Sequence, residues 1–238
     1  MGLNDRRFVE SQYASAERLE TWRSVWQPDP SGRTPQDVAV EALRARRPAR
    51  VLEVGCGTGQ LAERMMRQLD AELIAVDLSP SMVEETRSRG VDARVADVEQ
   101  LPFADGEFDC AVAAWVLYHL PDLDRGLAEL ARVLRPGGRL VAITNGEEAL
   151  ADLWALVGAE RTRTTFMGEN GEAALRRHFD DVARTDLRPH AVFPDRDAAA
   201  RYIETLDRGE LAARLPEFDG PLVLSGAAIV FVADRAAA

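Results

Sequence analysis

Between Arg50 and Thr144 short apolar runs alternate with amphipathic stretches, and few folds accommodate that rhythm. Strand-like Arg50–Val54, Glu72–Asp77, Val91–Ala96, Asp109–Ala114 and Arg139–Thr144 are separated by helical patterns near Gln60–Leu69, from Ser79-Pro80 to Gly90, and at Leu123–Leu134. The turn Pro136-Gly137-Gly138 leads into the last of these strands. Strands joined by crossover helices run parallel, so the pattern predicts an α/β fold, a parallel sheet with helices on both faces. Ahead of it, Phe8, Val9, Ala16, Leu19, Trp22, Val25 and Trp26 recur at helical spacing. Thr34-Pro35 then opens a second helix reaching Arg47, which Pro48 stops. Beyond Asn145 the reading gives helices near Glu148–Val157, Glu172–His178 and Ala198–Leu206, a strand near Asp181–Pro189, and the apolar run Leu222–Val232 as one last strand.

Composition removes whole classes of chemistry. All 29 bases are arginine, so Schiff-base formation, a P-loop lysine and lysine general-base catalysis are excluded. Two cysteines, Cys56 and Cys110, are too few for a disulfide framework, a four-thiolate zinc site or an iron–sulfur cluster. Three scattered histidines add no metal-binding spacing. A net charge of −11 disfavours a nucleic-acid partner, and the run Arg44-Ala45-Arg46-Arg47-Pro48-Ala49-Arg50 reads as decoration of a helix end. The longest charge-free stretch, Gly220 to Ala233, is shorter than the roughly 20 residues of a spanning helix. The charged start Asn4-Asp5-Arg6-Arg7 does not resemble a signal peptide, so a cytoplasmic chain with no membrane partner is expected.

The motif that carries the chemistry is Val51-Leu52-Glu53-Val54-Gly55-Cys56-Gly57-Thr58-Gly59. It sets an acid near a strand end and three glycines in the turn into a helix, whose free N–H groups attract anionic ligand groups. A dinucleotide fingerprint needs glycine where this chain has Gln60, which counts against a nicotinamide oxidoreductase. Asp77 ends the next apolar run, where a carboxylate can accept from both hydroxyls of a ribose. Asp97 follows the third run, within reach of an exocyclic amine. Glu53, Asp77, Asp97 and the turn after Ala114 are therefore expected to converge on one crevice.

Together with Ala75-Val76-Asp77-Leu78-Ser79-Pro80-Ser81-Met82, Ala96-Asp97-Val98-Glu99-Gln100-Leu101-Pro102-Phe103, Phe108–Leu120 and Leu134-Arg135-Pro136-Gly137-Gly138-Arg139-Leu140, the glycine motif resembles the class I S-adenosylmethionine-dependent methyltransferases, small-molecule subgroup. The resemblance covers roughly Arg50 to Thr144. It implies a Rossmann-like, mostly parallel seven-stranded sheet whose last strand is antiparallel, and an amino-terminal helical lid. The organisation expected is one methyltransferase domain, 1–238: a lid at 1–47, a cofactor-binding core at 48–145, and substrate-side helices with the last two strands at 146–238.

By the same resemblance the cofactor is S-adenosyl-L-methionine. Gly55 and Gly57 would lie beside its methionine moiety, Asp77 on the ribose, Leu78 against the adenine, Asp97 and Val98 at the adenine edge, Ala114 near the amino group, and Tyr13 in the lid. Glu53 is counted among the cofactor-binding residues. His119 is the candidate general base, because imidazole titrates near neutrality. Trp22 and Trp26 either shield the sulfonium or simply pack, and Gly158–Gly171, with Thr162, Thr164, Thr165 and Met167, is a second candidate substrate wall. The Asp/Asn-Pro-Pro-aromatic signature of DNA amino-methyltransferases is absent, since Ala113-Ala114-Trp115-Val116 stands there. What remains is methylation of oxygen, nitrogen or carbon in a small acceptor by a monomer or homodimer. The alternative is a protein that binds S-adenosylmethionine without methylating.

Overall fold

A computed structural model describes residues 16–160, 162–206 and 208–237. In chain order the elements are α1 (Ala16–Ser24), β1 (Trp26–Gln27), α2 (Pro35–Arg44), β2 (Arg50–Val54), α3 (Gln60–Gln68), β3 (Glu72–Asp77), α4 (Pro80–Ser88), β4 (Asp92–Val95) and β5 (Phe108–Ala114). Then follow α5 (Leu123–Val133), β6 (Leu134–Asn145), α6 (Ala151–Leu156), α7 (Gly171–Leu175), β7 (Asp181–Leu187), β8 (His190–Phe193), α8 (Arg196–Thr205), α9 (Gly209–Ala212), β9 (Leu222–Ser225) and β10 (Ala228–Asp234).

Seven strands form the main sheet in the order β4-β3-β2-β5-β6-β10-β7. The first five are parallel, whereas β10 runs antiparallel to both β6 and β7. Alternate residues of each strand feed opposite faces. Leu52, Val54, Ala111 and Ala113 pack under Leu127, Leu130 and Phe231, while Val51, Cys110, Val112 and Val141 pack against Val38, Leu43 and Met65 from α2 and α3. The expectation of a doubly covered, mostly parallel sheet therefore holds.

Local chemistry sets the helix starts. Thr34 accepts the Asp37 N–H at 3.2 Å while the Asp37 carboxylate accepts the Thr34 N–H at 2.7 Å, a reciprocal cap with Pro35 in the first turn. That helix ends at Arg44 rather than Arg47, whose φ of +46° leaves the helical region. The basic run beyond it is ion-paired: Arg46 with Asp234, and Arg50 with Glu107 at 2.9 Å.

Two strand readings need correction. Leu222–Val232 is not one strand, because Gly226 breaks it into β9 and β10, which belong to different sheets. A Cβ at Gly226 would lie 2.4 Å from the Trp26 ring, and its N–H donates to the Pro189 carbonyl at 2.7 Å. The strand expected near Asp181–Pro189 is β7, and beyond Arg188-Pro189 a further strand, β8, follows it. β1, β8 and β9 form a second, antiparallel sheet that the sequence reading does not contain. Its core joins Val25, Trp154, Phe193, Tyr202 and Ile203. β6 also starts earlier than Arg139, at Leu134, and shifts register against β5 between Phe108 and Cys110.

Candidate active site

The sheet changes direction of growth between β2 and β5, and an open α/β sheet keeps its ligand crevice outside the strand ends at that point. The registers Val54 to Val76, Val54 to Ala113 and Ala114 to Ile143 bring the carboxyl ends level. Glu53, Asp77, Asp97 and Ala114 thus belong to one edge, as expected.

Glu53 is only 2% exposed, and its Oε2 has no hydrogen-bond partner among the described residues. Burial pushes its carboxyl up to about 8, against the pull of the Arg23 guanidinium and with the push of the Asp77 charge. Asp77 accepts the Gly57 N–H and the Ser79 N–H, each at 2.9 Å, which ties the β2–α3 turn to the β3–α4 turn. Burial raises its carboxyl as well, while these N–H donors oppose the shift. The Gly57 carbonyl in turn accepts from Thr86 Oγ1 at 2.9 Å, so this peptide is clamped on both sides. Cys56 is buried with its thiol pushed far above the ordinary value, mainly by desolvation, and offers no nucleophile.

Gly55 has φ +68°, and a Cβ there would stand 2.5 Å from Val116 Cγ2 in the turn after β5. Gly55→Ala is expected to cost about 2 kcal/mol through strain and overpacking. Gly32→Ala, at φ +80° with nothing within 4 Å, carries only the backbone part and should lower the melting temperature less. Equal shifts in the two variants would dismiss the Val116 contact.

Other expected residues sort as follows. Leu78, Asp97 and Ala114 are half-buried at the edge, and Asp97 accepts the Glu99 N–H at 2.9 Å. Val98 is buried in the core, so its backbone, not its side chain, is what the crevice can meet. His119 closes a 3-10 turn, Leu117–His119, with its ring 4.4 Å from that of Tyr118. Tyr13 lies outside the described residues. Trp22 donates to Thr205 Oγ1 at 2.8 Å, and Trp26 packs beside it on the second-sheet core. His178 contacts Asp124 at 2.9 Å, consistent with a surface role.

Two residues escape the sequence reading. Arg23 of α1 donates to Thr58 Oγ1 at 2.5 Å, and its Nη2 is 3.7 Å from the Cβ position of Gly57, so α1 lies on the glycine turn. Trp115 has φ +54°, an outlier for a bulky residue. Its N–H donates to the Ile143 carbonyl at 2.8 Å and its indole N–H to Asn145 Oδ1 at 3.1 Å, bracing the ends of β5 and β6. Such strain concentrates at ligand sites.

Comparison with known proteins places this site in a family. Residues 52–142 match the methyltransferase domain family. The malonyl-[acyl-carrier protein] O-methyltransferase of Pseudescherichia vulneris is 35% identical over 174 residues, 71% of this chain and 67% of that protein. The chain belongs to the class I S-adenosylmethionine-dependent methyltransferases. Another relative, the ubiquinone biosynthesis O-methyltransferase of Xanthomonas oryzae pv. oryzae, is 42% identical over 119 residues, 47% of this chain. That match spans about half of the relative, 49% of its length. Among solved structures, the YcgJ protein of Bacillus subtilis aligns over 86% of this chain and 99% of its own, with TM-score 0.64 and 20% identity. SpnF, described as a [4+2]-cyclase, aligns over 97% and 96% with TM-score 0.66 and 21% identity. These likenesses establish the fold, and a fold alone does not fix the reaction. No helix among the described residues is long and apolar enough to cross a membrane.

Proposed function

We propose that this chain transfers the methyl group of S-adenosylmethionine to a small-molecule acceptor. The observation that carries the reading is the buried, orphaned Glu53 oxygen beside Asp77 under the glycine turn. A buried acceptor without a partner suits an ammonium, such as that of a methionine moiety. Asp77 suits two ribose hydroxyls, and the carboxyl-edge placement of Leu78, Asp97 and the Val98 backbone suits an adenine. Gly55, Gly57 and Ala114 would present backbone to the amino-acid portion.

When bound, the cofactor supplies a methyl group on a sulfonium. The chain's own contribution is alignment for an in-line displacement, in which the acceptor–carbon bond forms as the carbon–sulfur bond breaks and its electron pair stays on sulfur. Glu53, in its carboxylate form, would pair with the ammonium at one end of the crevice, and Asp77 would fix the other. The role of taking the acceptor's proton, where that acceptor carries one, is assigned to His119, and His119→Asn should flatten the acidic limb of the pH–rate profile. An unchanged profile would remove that role. α1 acts as the cover, with Arg23 reaching the turn, and Tyr13 of the lid is proposed to touch the cofactor. Action in the reducing cytoplasm accords with two buried, free cysteines.

Calorimetric titration with S-adenosylmethionine and S-adenosylhomocysteine, with NADH as control, tests the reading. Micromolar binding of both sulfur ligands and none of NADH is expected; NADH binding alone would overturn it. Arg23→Gln should weaken S-adenosylhomocysteine up to tenfold, about 1 kcal/mol. Unchanged affinity would leave Arg23 a purely structural tie to Thr58.

A further inference from the structure

Beyond the carboxyl end of β6 a cleft of about 290 Å³ opens against α6. It adjoins the braced edge described above. Glu147, on its wall, lies two residues past Asn145, which holds the Trp115 indole. Met167, on the opposite wall, is seated on the same strand end: the Phe166 carbonyl accepts from Thr144 Oγ1 at 2.9 Å, and the Gly168 N–H donates to the Asn145 carbonyl at 3.1 Å. The cleft therefore lies beside the strand end whose Asn145 holds the Trp115 indole of the turn that follows β5.

Its walls have a definite chemistry. Ala151 and Ala155 sit one turn apart on α6, and with Ala159 they leave space rather than fill it. Trp154 and Met167, both buried, supply broad polarisable surface. The charges at the mouth are largely spent on each other. Arg163 pairs with both carboxylate oxygens of Glu147, at 3.1 and 3.3 Å. Arg208 stacks its guanidinium 4.9 Å from the Trp154 ring centre. Glu160, exposed at the rim, is the one further charge among the described lining residues, and it repels anions.

We propose that this cleft is the acceptor subsite and takes a flat, non-anionic molecule of one or two rings. The proposal rests on the methyl-transfer reading for its purpose. Size sets the upper bound: a cavity of roughly 150 Å³ admits a benzene ring, so about twice that volume admits two fused rings or one substituted ring. Exclusion of anions follows from the Glu160 charge at the rim, because the other lining charges among the described residues, Glu147 and Arg163, neutralise each other.

Calorimetry on the full chain saturated with S-adenosylhomocysteine tests it, using catechol and 1-naphthol as probes against hexanoate. Both ring compounds should bind and hexanoate should not. Ala155→Phe, at an exposed position, should weaken ring binding at least tenfold while the melting temperature and the S-adenosylhomocysteine affinity stay unchanged. Ring binding untouched by Ala155→Phe, or hexanoate binding as tightly as catechol, would overturn the subsite. Failure of the wild-type chain to bind S-adenosylhomocysteine is a different result and removes the methyl-transfer reading. In that case the ring probes and Ala155→Phe, titrated without cofactor, still decide the cleft.

Discussion

Replacing Glu53 with glutamine is expected to make the chain more stable above about pH 5, and by more with each step upward to pH 8. Below the ordinary carboxylate value of 4.5, native and unfolded chains both hold the proton, and the contribution to stability is fully present. Between there and about 8 the unfolded chain releases the proton and the native chain, with Glu53 buried, keeps it. Stability therefore falls as pH rises through this window, by about 1.4 kcal/mol per unit and of the order of 4 kcal/mol in all. Glutamine fills the same space without a proton to lose. Urea unfolding at pH 4.0 and 8.5 should show the two proteins nearly equal at the lower pH and far apart at the higher. The wild-type cofactor affinity should move the other way, rising up to tenfold per pH unit toward 8, because only the carboxylate can pair with an ammonium. The glutamine variant should lose that rise. Parallel pH dependence in both proteins would show that Glu53 ionises freely in the native state.

What the sequence discloses depends on the range over which each feature is encoded. The core from Arg50 to Asn145 is legible because alternation, glycine turns and strand-end acids are all local, so Gly55, Asp77 and Asp97 can be found by spacing. Placement in space is less local. Glu53 reads only as an acid near a strand end; its isolation comes from the neighbours β3 and β5 that bury it on either side. Arg23 stands 35 residues before Thr58, and nothing in α1 marks the side chain that reaches the turn. The second sheet is hidden for a related reason. Its β9 and the main-sheet β10 form one uninterrupted apolar run, and only the Trp26 ring lying against Gly226 separates them. Trp115 looks like a continuation of β5 until its left-handed backbone is seen to be held by Ile143 and Asn145 of the next strand.

Asp77→Ala should weaken S-adenosylhomocysteine binding by 10- to 100-fold, about 1–3 kcal/mol, through two distinct losses. The first is direct: ribose hydroxyls would lose a charged acceptor. The second acts through the loop, because the same carboxylate holds the Gly57 and Ser79 N–H groups and so sets the relative position of two turns. Asp77→Asn separates these effects. The amide keeps one oxygen for a backbone N–H but turns the other position into a donor, so it should retain one of the two turn ties and more stability than Asp77→Ala, and still lose affinity. The melting temperature of each variant, taken beside its calorimetric affinity, makes the distinction. If Asp77→Asn binds as tightly as the wild type, the carboxylate serves only the turns, and the ribose must be held elsewhere at the carboxyl edge.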